Sequence, residues 1–119
     1  MRIDNIHQAL KQFHVQNPSS KATLLPATAS QLSQASGYTR TAVSEELSEL
    51  VRKDQVVKVK SRPVLFFDKD YLEEQFPFFK SSTCYDSLAS LQEDIYQQTE
   101  QIHKKKQLLK MNPFANVIG

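Results

Sequence analysis

The chain of 119 residues has no tryptophan, two glycines and one cysteine. A single cysteine, Cys84, closes no internal disulfide, and no Cys/His group stands at metal-ligand spacing, so a disulfide scaffold and a zinc module are both excluded. Cys84 reads as an incidental thiol in a reducing, cytosolic setting. There is no glycine loop to cradle phosphates and no P-loop lysine motif, so ATP hydrolysis is not expected of these residues. No Ser/His/Asp, Cys/His or paired-carboxylate grouping has a recognisable arrangement, and the chain is expected to be neither an enzyme nor a cofactor carrier. Asp68, Asp70, Glu73 and Glu74 read as the charged first turns of a helix, and His7, His14 and His103 as ordinary surface or partly packed residues. The longest strongly apolar stretch, Val64 to Phe67, is far too short to span a bilayer, and the N-terminus has no apolar signal core. No membrane partner and a cytoplasmic, bacterial location are expected.

What is present suits one small domain with a tail or linker: 39% hydrophobic and 24% charged residues. The formal net charge of +2 is unevenly shared. Residues 1–62 hold nine Lys/Arg against five Asp/Glu, and residues 63–119 hold six against eight. An anionic partner would dock on the first half.

Ile3, Ile6, Leu10 and Phe13 recur at steps of three and four, which predicts an amphipathic helix from about Asp4 to Gln16, stopped by Asn17-Pro18-Ser19-Ser20. A polar loop runs to Ala27. Thr28 caps a short helix, Ala29 to Ala35, and Gly37 ends it with a positive φ. Thr39 caps the next helix, whose buried face is Val43, Leu47, Leu50 and Val51 and whose open face is Arg40, Thr41, Ser44, Glu45 and Ser48. The period then changes to two. Val57 and Val59 are expected inward and Lys58 and Lys60 outward on a strand, Ser61-Arg62-Pro63 turns, and Val64 to Phe67 returns. Asp68 to Phe76 reads as a short helix with Tyr71, Leu72 and Phe76 inward. Residues 77–85 read as loop. Asp86 then opens a long polar helix, 86–111, in which Leu88, Leu91, Ile95, Ile102 and Leu109 fall near a heptad while Gln98 and Lys105 interrupt it. That helix reads as a linker, as a homodimer seam, or as both, and Lys104, Lys105 and Lys106 as a solvated face or a phosphate contact.

The fold class expected is mainly α with a small β-hairpin: a winged helix-turn-helix over residues 1–76, followed by a C-terminal linker helix. Seating Val43, Leu47 and Leu50 leaves the start of their helix free for a major groove. Arg40 is suited to guanine O6 and N7 or to a phosphate, and Thr41, Ser44 and Ser48 to phosphates or base edges. Tyr38 and Thr39 complete that turn. Glu45 has two readings, accepting from a cytosine amine or pairing with Arg40 or a neighbouring base. Lys58, Lys60 and Arg62 form a basic ribbon, with Arg62 at its tip. Double-stranded DNA is therefore the expected partner. The alternative is a winged-helix module that docks a partner protein without binding DNA.

The stretch "TRTAVSEELSELVRKDQVVKVKSRPVLFFDKDYLEE" resembles the N-terminal winged-helix domain of the LevR-like (levanase operon regulator type) family of sigma-54-dependent activators, over about residues 28–76. Ser61 stands in its arginine-proline turn where many relatives would have glycine. "NPFANVIG", residues 112–119, is similar to the start of the AAA+ ATPase module of those activators. The resemblance implies DNA binding upstream of a sugar-utilisation (phosphotransferase system) operon. It also implies contacts with sigma-54 RNA polymerase and phosphotransferase proteins through domains absent from this chain.

Overall fold

The computed structural model describes residues 1–100. Its elements in order are α1 (Arg2–Gln16), β1 (Ala27–Thr28), α2 (Ala29–Ser36), α3 (Arg40–Arg52), β2 (Val56–Val59), β3 (Leu65–Asp68), α4 (Lys69–Gln75) and β4 (Cys84–Tyr85). A further helix, α5, occupies 88–100. The chain is mainly helical around a small mixed sheet of order β1-β3-β2-β4, in which β1·β3 and β2·β3 are antiparallel and β2·β4 is parallel.

Local chemistry sets most of the boundaries. Thr28 and Gln31 form a reciprocal capping box: Thr28 Oγ1 accepts from Gln31 N at 3.1 Å and Gln31 Oε1 from Thr28 N at 2.9 Å. Gly37 closes α2 at φ 82°, and its N–H donates to Ser33 O. Space is not what selects glycine there, because nothing lies within 4 Å of an added Cβ; the left-handed φ is. Thr39 Oγ1 accepts from Ala42 N at 3.2 Å to cap α3, and Asp68 Oδ2 from Tyr71 N at 3.2 Å to cap α4.

Alternation along the strands divides the core in two. Val56 and Phe66 face Ile6, Leu10, Leu32, Val43, Leu47 and Leu50 of α1–α3. Val57, Val59 and Phe67 face Leu72 of α4, Phe76, Phe79, and Leu91 and Ile95 of α5. The sheet is thus covered on both faces, a stronger constraint than the half-buried strand expected from Lys58 and Lys60. Val57 and Val59 do turn inward, but so does Val56 on the opposite face.

Several expectations are corrected. The hairpin is part of a four-stranded sheet. Ala27–Thr28, expected as loop and cap, pairs with β3, and Cys84–Tyr85, inside the expected loop 77–85, pairs with β2. Lys58 N donates to Thr83 O at 2.7 Å and Lys60 N to Tyr85 O at 2.8 Å, so β4 satisfies the outer edge of β2. Two residues are too few to show a period, which is why neither strand is legible. Ser87, not Asp86, caps α5, since its Oγ accepts from Ser90 N at 3.0 Å. The first half of the expected heptad stripe is consumed at home: Leu91 and Ile95 are buried, and Leu88 packs against them. Gln92 Nε2 donates to Lys21 O and Ala22 O, and Gln98 bonds both backbone groups of Lys80, so α5 is fastened to the domain at two points. Ile102, His103, Lys104, Lys105, Lys106, Leu109 and residues 112–119 lie outside the described residues.

His14 is not a surface residue. It is 1% exposed, its ring stacks on Phe67 (5.6 Å) and Tyr71 (4.3 Å), and its Nε2 accepts from Asp68 N at 2.9 Å. Asp68 itself meets His7 Nε2 at 2.7 Å and Lys11 Nζ at 3.8 Å. One buried carboxylate therefore joins α1 to the β3–α4 junction. Burial holds His14 down to about pKa 4, against a smaller opposing pull from Asp68. Burial alone would raise Asp68, but the His7 hydrogen bond, the charges of Lys11 and His7 and the Tyr71 N–H together outweigh it and lower its pKa.

Two predictions come from this packing. Ile95→Ala should lower stability by about 3 kcal/mol in urea unfolding, because it empties a closed site; a change near zero would place α5 outside the cooperative domain. Both shifted groups bind protons less readily when folded than unfolded. Stability present above pH 6.5 should therefore fall by about 3 kcal/mol as His14 is forced to charge down to about pH 4. It should fall further below 3.8 as Asp68 protonates. Urea midpoints across that range check this, and His14→Phe should flatten the slope between 6.5 and 4 whatever it does to the baseline.

Candidate functional site

With Val43, Leu47 and Leu50 facing the core, helical geometry turns Arg40, Ser44 and Ser48, spaced at i, i+4 and i+8, toward one side of α3. All three are exposed. They line a cleft of about 240 Å³ between α3, the start of α2 and the β2–β3 hairpin. Lys58 enters from the hairpin, and Thr28 and Ser30 from the start of α2. Lys58 lies two residues beyond Val56 on the same face of β2, so alternation sends it past the helical layer to the cleft.

Four cations gather on this side of the molecule. Arg40, Lys58, Lys60 and Arg62 make no ion pair with any described residue, as is also true of Lys21, Lys53 and Lys80, whereas Arg2, Lys11, Arg52 and Lys69 are each within reach of a carboxylate. Lys60 and Arg62 are exposed on the hairpin, where Ser61 Oγ donates to Pro63 O at 2.9 Å across the turn and the Arg62–Pro63 peptide is cis. Four unneutralised cations with small hydroxyls between them form a surface that can donate hydrogen bonds to an anion without first breaking an internal pair.

No family model matches the chain, nor does any curated protein or solved structure.

The structure brings Arg40, Ser44, Ser48 and Lys58 together in the cleft and places Thr41 exposed beside them on α3. Three other residues have internal work. Tyr38 is half-buried against the helical core, its hydroxyl accepts from Asn5 Nδ2 at 2.9 Å and its carbonyl from Ser33 Oγ at 2.6 Å, so it braces the α2–α3 turn. Thr39 spends its hydroxyl on the helix cap. Glu45 is in an ion pair, one of the two states expected of it, with Arg2 at 3.4 Å in place of Arg40. Thr28 and Ser30 were not among the expected site residues, although the Thr28-x-x-Gln31 box shows where α2 begins. Arg2 lies 43 residues from Glu45, and nothing local announces that contact.

Among the described residues no group of three or more His, Cys, Asp or Glu is placed to hold a metal ion, and no helix is long and apolar enough to cross a membrane.

Proposed function

We propose that this chain is a sequence-specific double-stranded DNA-binding domain of the winged helix-turn-helix type, with α3 as the helix that enters the major groove and the β2–β3 hairpin as the wing. The observation that carries the reading is the cleft in which Arg40, Ser44 and Ser48 of α3 meet Lys58 of the hairpin, with every cation on that side unpaired. The element order α1-β1-α2-α3-β2-β3 and the strand order β1-β3-β2 support it, because they set a helix pair joined by a glycine turn directly beside a two-stranded ribbon. Arg40, at the first helical position, can reach a guanine edge or a phosphate. Thr41, Ser44 and Ser48 keep the helix slim enough to approach the duplex, and Lys60 and Arg62 extend the cationic line along the hairpin.

The narrower reading, the DNA-binding domain of a LevR-like sigma-54-dependent activator of a sugar-utilisation operon, rests on the resemblance of residues 28–76 and of residues 112–119. The alternative of a protein-docking module drew on the stripe from Leu88 to Leu109. Leu91 and Ile95 are covered by the domain's own sheet, which leaves that alternative less apolar surface among the described residues.

Duplex fragments selected from a random pool by the purified chain, followed by anisotropy titration, test the proposal. Arg40→Ala should weaken binding to the selected sequence by about 1 to 3 kcal/mol and relax preference at one base position. Undiminished affinity would remove Arg40 from the contact set. The pair Lys58→Ala and Lys60→Ala should weaken binding uniformly across sequences and reduce the salt slope by about one per lost phosphate contact. An unchanged slope would make both lysines bystanders, and association with protein alone, with no duplex bound at low salt, would favour the docking reading.

A further inference from the structure

We propose that Arg2, at the start of α1, is a positioning residue for the DNA-facing surface: it holds the Glu45 and Glu46 carboxylates of α3 in ion pairs and so reduces their repulsion of duplex phosphates. The inference rests on the DNA-binding reading of the same helix.

The charge pattern on α3 leads to it. Between Arg40 and Arg52 the helix carries three acids, Glu45, Glu46 and Glu49. Each is ion-paired: Arg2 Nη2 lies 3.4 Å from Glu45 Oε2, Arg2 Nε lies 3.4 Å from Glu46 Oε2, and Arg52 bonds Glu49 from within the helix. Arg40, by contrast, pairs with none of them. The three acids of α3 thus share two cations that lie outside its first turn, which leaves that turn's own cation available.

One guanidinium serves two carboxylates through different nitrogens, a geometry that the fork of arginine allows and the point charge of lysine does not. Its approach is set from the neighbouring turn, where Asn5 Nδ2 donates to the Tyr38 hydroxyl at 2.9 Å and registers α1 against the α2–α3 connection. Stability is a poor explanation for the Arg2–Glu45 pair. The Arg2 and Glu45 side chains are 44% and 63% exposed, and pairs that open to water contribute little to folding; Glu46, at 19%, is the more sheltered partner. Near a duplex the same carboxylate matters more, since phosphate charge dominates affinity and an unpaired acid on the approaching face opposes it. Glu45 therefore acts as a restrained acid whose electrostatic effect is governed by α1.

The test is anisotropy titration of the full chain against a mixed-sequence duplex of about 30 base pairs at about 50 mM salt, where surface charges are least screened. Arg2→Ala should weaken binding about 3- to 10-fold, and the loss should shrink as salt is raised. Its melting temperature should stay close to that of the parent. Glu45→Gln should raise affinity more in the Arg2→Ala background than in the parent, a coupling that neither a merely structural role for Arg2 nor the bare loss of one negative charge would produce. Unchanged binding by Arg2→Ala overturns the inference, and so does an equal gain from Glu45→Gln in both backgrounds, because Arg2 would then act on the duplex independently of Glu45. In either case an intact response to Arg40→Ala leaves the DNA-binding reading standing; absence of duplex binding by the parent chain would remove both.

Discussion

The seating of α3 by Val43, Leu47 and Leu50 is the constraint from which the surface of this protein follows. Those three side chains are fully or almost fully removed from water among Ile6, Leu10, Leu32, Val56 and Phe66. A helix has one rotational setting that buries such a stripe, and that setting dictates which residues are left outside. Arg40, Thr41, Ser44 and Ser48 are exposed because the opposite side is committed to the core. The open face is polar and slim, and its position relative to the hairpin is inherited from Val56 and Phe66, which belong to the same cluster.

The hairpin is held just as firmly from behind. Val57, Val59 and Phe67 pack on a second apolar layer that includes Leu91 and Ile95, while β4 pairs with the outer edge of β2. A ribbon paired along both edges and packed on both faces has little freedom to swing, so Lys58 is held beside Ser44 and Ser48. Preorganisation of this kind lowers the ordering cost of binding. Asp68 completes the frame. It caps α4, accepts from that helix's first turn and reaches back to His7 and Lys11, while its own N–H is spent on His14.

Charge on this domain is sorted more sharply than its small net value suggests. Cations on the α1 and α4 sides are matched by carboxylates, and those of Arg40 and the hairpin are left free. Bare composition averages these regions together. A half-chain balance comes closer, because Arg40, Lys58, Lys60 and Arg62 all lie within residues 1–62, but it cannot separate Arg2, which serves Glu45 and Glu46, from Arg40, which serves neither.

Interactions that act within a few residues were determined by the sequence alone. The caps at Thr28 and Thr39, the left-handed Gly37, the buried stripe of α3 and the change of period at Val57 all arise from neighbours no more than one or two turns away, and each is present in the fold. Contacts between distant residues were decided only by the tertiary structure. His14 meets Asp68 across 54 positions and Arg2 meets Glu45 across 43, while β1 and β4 become strands only because partner strands offer them hydrogen bonds. Leu91 and Ile95 illustrate the difference best. Their spacing states that one face of the helix must be covered, and it is silent on whether a second chain or this chain's own sheet covers it, since burial is non-directional and any apolar surface of the right shape will do.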